Sequence, residues 1–138
     1  MASDEGEVLS ANQAFYDAFT RADFATIEDL WAERSPVACI HPGWDAVHGR
    51  DEVLQSFRAI LEGGGAPQVT CVEPSATLLG EAAFVVCHEA IDDAHLVATN
   101  VFVREDGRWK LVHHQAGPMS ARRPAARVRK PVNRDMLN

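Results

Sequence analysis

The chain has 138 residues, 46% hydrophobic and 24% charged, with a formal net charge of −7. That length suits one domain with its own core, and no apolar run reaches the ~18 residues that a membrane span needs. Residues 1–120 hold seven basic groups against 19 acidic ones, a body that repels phosphates, so nucleic acid is not the expected partner. Residues 8–20 read as a helix, with Ala11, Ala14, Phe15, Ala18 and Phe19 on one stripe. Asp23 is placed to cap a second helix over 24–32, whose apolar side is Ile27, Leu30 and Trp31. Ser35-Pro36 ends it, because a residue before proline avoids the α region. Residues 37–41 form a short strand, Pro42-Gly43 a turn, and 51–61 a third helix carrying Val53, Leu54, Phe57, Ile60 and Leu61. Gly63-Gly64-Gly65 then breaks the pattern; it lacks the preceding strand of a phosphate loop and reads as a linker.

From residue 68 the period changes to two. Segments 68–79, 82–91, 95–104 and 108–115 are rich in Val, Thr, Phe and Cys. Gly80-Glu81, Asp92-Asp93 and Glu105-Asp106-Gly107 separate them as turns. Four long strands on short turns predict an antiparallel meander, and with the helices an α+β layout. Pro118 ends the last strand, so a domain over 1–120 is followed by an irregular tail over 121–138. That tail holds six basic groups against Asp135 alone and no aromatic residue. It reads as a segment lying on an acidic surface, its own or a second subunit's. Cys39, Cys71 and Cys87 sit in apolar runs without CxxC spacing, which reads as buried reduced thiols in a cytoplasmic protein. The acidic, polar residues 1–7 lack the order of a secretory signal.

Three stretches carry a resemblance: "AFYDAFTRADFATIEDLWA", "VACIHPGWDAVHGRDEVLQSF" and "ATNVFVREDGRWKLVHHQAGP". Together they resemble the NTF2-like superfamily over residues 8–118, the middle stretch pointing to its SnoaL-like branch. The resemblance implies a cystatin-like cone of three N-terminal helices packed on a strongly curved antiparallel sheet. It also implies a pocket at the open end and a homodimer through the outer sheet face. The superfamily holds isomerases, dehydratases, hydrolases, cyclases, transport factors and oligomerisation domains, so function must be argued from the pocket.

His41 stands before a proline at a strand end, where the ketosteroid isomerase branch places an aspartate base. A histidine suits that task, with an ordinary pKa of ~6.5. The oxyanion tyrosine of that branch falls on Phe15, which cannot donate, and Tyr16 lies ~100° round the helix. The second oxyanion position falls near Asn100 or Val101, neither of them an acid. A steroid-isomerase mechanism as such is therefore not expected. The last stretch also resembles the association domain of calcium/calmodulin-dependent protein kinase II. Two pocket arginines of that domain fall on Glu89 and Asn100, so these positions face the pocket without its basic character.

Alternation places Trp109, Leu111, His113 and Gln115 on one face of the last strand, taken as concave because Trp and Leu supply core. This aims His113 or Gln115 at the pocket and His114 at a dimer face; a one-residue bulge would reverse it. Glu89 shares its face with Cys87 and needs a partner, His41 or His113, since a lone buried carboxylate protonates. His41 and Glu89 are thus the conditional acid/base pair, although a structural ion pair has the same sequence. Tyr16, Trp31, Trp44 and Phe102 are expected to line an apolar cavity, with Asn100, His113 and Gln115 as polar contacts. His41, His48 and His113 match no HExxH or CxxC signature, so neither metal nor cofactor is expected. The leading expectation is a pocket for a small hydrophobic molecule, serving a cofactor-free acid/base isomerase, dehydratase or cyclase. The alternative is a non-catalytic ligand-binding or protein-interaction domain. A third option is a partner-binding module that uses the basic tail.

Overall fold

A computed structural model describes residues 3–64 and 67–120; the basic tail read over 121–138 lies outside the described residues. Ser3 caps the first helix, α1 (Asp4–Thr20), by accepting a hydrogen bond from Gly6 N. Asp4, Glu5 and Glu7 then fill its first turn, where negative charge suits the helix dipole. Asp23 caps α2 (Phe24–Leu30) through Thr26 N. This helix stops two residues earlier than the periodicity predicts. Trp31 leaves the helix to form a parallel bridge with Leu111, and Ala32 N donates to Leu111 O at 2.9 Å.

The strands are β1 (Ala38–Ile40), β2 (Val47–His48), β3 (Thr70–Leu79), β4 (Ala82–Ile91), β5 (Ala94–Glu105) and β6 (Arg108–Pro118). Helix α3 (Arg50–Glu62) follows β2, so only two helices precede the first strand. One six-stranded sheet runs β2-β1-β6-β5-β4-β3. The meander β3 to β6 is antiparallel, but β1 lies parallel to β6. The sheet is therefore mixed, not wholly antiparallel. A parallel neighbour needs a long crossover, and the chain from β1 to β6 supplies one.

Glu105 fixes the approach to β1. Its carboxylate accepts from Glu33 N, Arg34 N, Ser35 N and Ser35 Oγ at 2.8–3.1 Å. Burial pushes its pKa up, but these bonds outweigh that and hold the group below its ordinary value. The loop entering β1 is thereby tied to the far end of β5.

Residue sides in β6 differ from simple alternation. Val101 pairs with His113, but Phe102 pairs with Leu111, so Val112 is an extra residue on β6. This bulge turns His114 and Ala116 inward with Trp109 and Leu111; all four are buried. Gln115 is consequently exposed and His113 only half-buried. The expected inward face of His113 and Gln115 is corrected by that one inserted residue. The core between helices and sheet is built on Trp31, Phe15, Phe57, Phe102 and Ile27, each at most 2% exposed. Phe57 stacks edge-on with Phe15 and Phe19 and meets the His41 ring at 4.8 Å. Among the described residues no helix is long and apolar enough to cross a membrane.

Candidate functional site

A cavity of about 280 Å³ opens between α1, α3 and the inner sheet face. Phe15, Phe19, Phe57 and Trp44 form its aromatic walls, and Ile60, Val69, Ile91 and Leu96 its aliphatic ones. Its polar groups are Tyr16, His41, Glu89 and His114.

The stretch His41-Pro42-Gly43-Trp44 is a tight turn at the rim. Trp44 N donates to His41 O at 2.9 Å, and Gly43 has φ of +83°, which only glycine adopts freely. The Trp44 ring, 46% exposed, meets the His41 ring edge-on at 4.8 Å. His41 itself is 4% exposed. Its Nε2 lies 2.8 Å from Ser56 Oγ, whose hydroxyl donates to Val53 O at 2.6 Å. The serine oxygen must accept, so Nε2 carries the proton and Nδ1 keeps its lone pair. Burial lowers the His41 pKa to about 4, so the ring is neutral at pH 7.

Opposite stands a cluster drawn from α1, β4, β5 and β6. Tyr16 Oη donates to Glu89 Oε2 at 2.6 Å and lies 3.3 Å from Cys87 Sγ. Asn100 Nδ2 donates to Tyr16 Oη at 3.0 Å and to Asn12 Oδ1 at 2.8 Å. His114 Nδ1 lies 2.5 Å from Asn100 Oδ1, and His114 Nε2 lies 3.9 Å from Glu89 Oε2. Burial raises the Glu89 pKa, against the opposing effect of the Tyr16 hydrogen bond. Burial, reinforced by His41 and His113, lowers that of His114 to about 3. Burial and the neighbouring Glu89 and Cys87 also push the Tyr16 phenol up. Each member of the cluster thus favours its uncharged form.

The structure brings Tyr16, His41, Trp44 and Glu89 to the cavity. The partners of Glu89 are Tyr16 and His114, not His41 or His113. Asn100 is fully buried behind the wall and touches side chains, so the expected substrate contact is corrected to a position one layer back. Trp31 and Phe102 pack in the core away from the cavity, because both are enclosed between helix and sheet. His113 Nδ1 sits 3.1 Å from Ala38 O and ties β6 to β1, while Gln115 points outward. His114 is the group that strand alternation missed. The doublet His113-His114 guaranteed one inward histidine without saying which. Among the described residues no three His, Cys, Asp or Glu side chains stand together as a metal site.

A family model described as a SnoaL-like domain matches residues 8–121. The F-box protein SKIP8 of Arabidopsis thaliana is 29% identical over 116 residues, covering 81% of this chain and 49% of that protein. The chain thus spans about half the length of the curated relative it matches. A solved NTF2-like family protein of Streptomyces avermitilis, named as a candidate dehydratase, is 35% identical with a TM-score of 0.76. The match covers 83% of this chain and 95% of that one. A candidate calcium/calmodulin-dependent protein kinase type II association domain of Thiobacillus denitrificans is 28% identical with a TM-score of 0.70, covering 81% and 94%. The resemblance carried by the three sequence stretches is therefore found again in family, in sequence and in fold.

Proposed function

The chain belongs to the SnoaL-like domain family, and from that premise we propose that its cavity takes a small, neutral, mostly apolar ring ligand and removes water from it without a cofactor. The observation that carries this reading is the pair Glu89 and His114, 3.9 Å apart on one wall of an apolar cavity. Burial raises the pKa of Glu89 and lowers that of His114, which favours a neutral pair with the proton on Glu89 over an ion pair. A base and an acid this close suit removal of a hydrogen and a hydroxyl from the same face of a β-hydroxy ketone.

In this reading His114 Nε2 takes the proton from the carbon next to the carbonyl. The electron pair of that C–H bond forms the new double bond, and the bond to the β-hydroxyl breaks. The departing oxygen takes the Glu89 proton and leaves as water. The imidazolium then returns its proton to the Glu89 carboxylate, restoring the starting state. As Glu89 ionises it makes the neighbouring imidazole a stronger base, which offsets that ring's low resting pKa. Among the described residues no Lys or Arg lines the cavity, which favours a neutral ligand over a carboxylate or phosphate. Dehydratase in the name of the Streptomyces avermitilis relative supports the reaction class.

The test is a panel of hydroxylated cyclic ketones, followed by ultraviolet absorbance of the conjugated enone. Wild-type protein should form it and Glu89→Gln should not. Binding without turnover across the panel would leave the non-catalytic ligand-binding alternative. The same family membership supports a second copy of the chain as partner, docked through the outer sheet face where Val86 and Val97 are exposed. Sedimentation equilibrium should then give twice the 15.1 kDa chain mass; a monomer at micromolar concentration would sink that part.

A further inference from the structure

Asn100 is 0% exposed, touches no part of the cavity surface, and makes three side-chain hydrogen bonds. Its orientation is set from both ends of the network. On one side Asn12 spends its Nδ2 on Cys71 Sγ at 3.5 Å, so its Oδ1 is left to accept. On the other side the Tyr16 hydrogen goes to Glu89 Oε2, so the phenol oxygen also has to accept. Both acceptors call for the amide nitrogen of Asn100. Its Oδ1 is then the atom that faces His114 Nδ1 at 2.5 Å, and an amide oxygen can only accept.

We infer that Asn100 is a positioning residue that holds His114 with its proton on Nδ1, so that the Nε2 lone pair faces Glu89 and the cavity. A neutral imidazole has one proton to place. Held on Nδ1, it leaves a base at the wall where Glu89 stands as acid; held on Nε2, it would leave two donors facing each other and no base. The same amide steadies the phenol that bonds Glu89, so one side chain aligns both partners. The use of this base for dehydration rests on the function proposed above; the tautomer itself does not.

The test is long-range proton–nitrogen correlation NMR on the uniformly nitrogen-15-labelled full chain. The His114 resonances are identified by their loss in His114→Gln. Wild-type protein should give a pyrrole-type signal for Nδ1 and a pyridine-type signal for Nε2. Asn100→Leu removes the acceptor and should replace that pattern with averaged shifts. Asn100→Asp keeps an acceptor but not the donor to Tyr16, and should keep the proton on Nδ1. A proton on Nε2 in the wild-type protein overturns the inference. So does an unchanged pattern in a folded Asn100→Leu variant; if that variant fails to fold, the wild-type and Asn100→Asp spectra still decide. With a turned-over ketone in hand, Asn100→Leu should lower kcat about 10–100-fold with KM little changed. If the spectra are as expected and no variant turns over any ketone, the tautomer stands and the dehydration reading falls.

Discussion

Replacing His114 with glutamine is expected to lower turnover of a β-hydroxy ketone by about 10²–10⁴-fold, the range that a positioned general base contributes. Glutamine retains an amide of similar reach but cannot take a proton. Glu89→Gln should cost a similar factor, because it removes the acid that completes the same transfer. The discriminating result is the double variant. Two groups that pass one proton between them act as a unit, so their losses should overlap and not multiply. The double variant should be about as slow as either single one; a product of the two losses would show independent roles and defeat the shared-proton mechanism. Steady-state kinetics on the three variants measures this. The pH profile offers a second check. Activity should fall as pH rises through the Glu89 pKa, which burial holds above the ordinary carboxylate value. It should also fall in acid as His114 takes a proton, near its lowered value of about 3.

Much of the scaffold behind this site was legible as periodicity. The stripe through Phe15 and Phe19 marked α1, and the valine-rich alternation marked β4 over the residues it occupies. Asp23 and the His41-Pro42-Gly43-Trp44 turn were legible because capping and positive φ are local demands. Strand β2 was not, since two residues carry no period. The parallel pairing of β1 with β6 was not, since it joins Cys39 to His114 across the whole meander.

The site divides the same way. Alternation put Glu89 on the face of Cys87, and the resemblance to the association domain turned that face to the pocket. His114 was not placed inward, because Val112 shifts the alternation by one and nothing in "WKLVHHQ" reveals the insertion. Tyr16 was separated from the neighbouring helix position by ~100° of turn, yet both Phe15 and Tyr16 reach the cavity. Its bonds to Glu89 and Asn100 join residues 73 and 84 positions apart, a relation that only the folded sheet creates.

Acidification from pH 7 to about 5 is expected to weaken the fold before any ordinary carboxylate titrates. His41 and His114 are 4% and 5% exposed, with folded pKa values lowered to about 4 and about 3. The unfolded chain takes up these protons near the ordinary value of ~6.5. The stability that depends on neutral rings is therefore complete above that pH and is lost as pH falls toward the folded values. By proton linkage each ring loses about 2 kcal/mol between pH 7 and 5. The cavity mouth beside His41 admits water and reduces its share. Glu89 acts with the opposite sign: its raised pKa makes ionisation costly in the folded state, so acid relieves part of the loss. Glu105 stays outside this window, because its lowered pKa confines its loss to pH below ~4.3. Urea unfolding at pH 7, 6 and 5 should show falling stability, and His114→Gln should flatten the slope. An unchanged slope in both His114→Gln and His41→Gln would mean that these rings already carry protons or meet solvent. The same burial that makes the fold sensitive to acid keeps His114 unprotonated at neutral pH, and an unprotonated Nε2 is what a base at that wall requires.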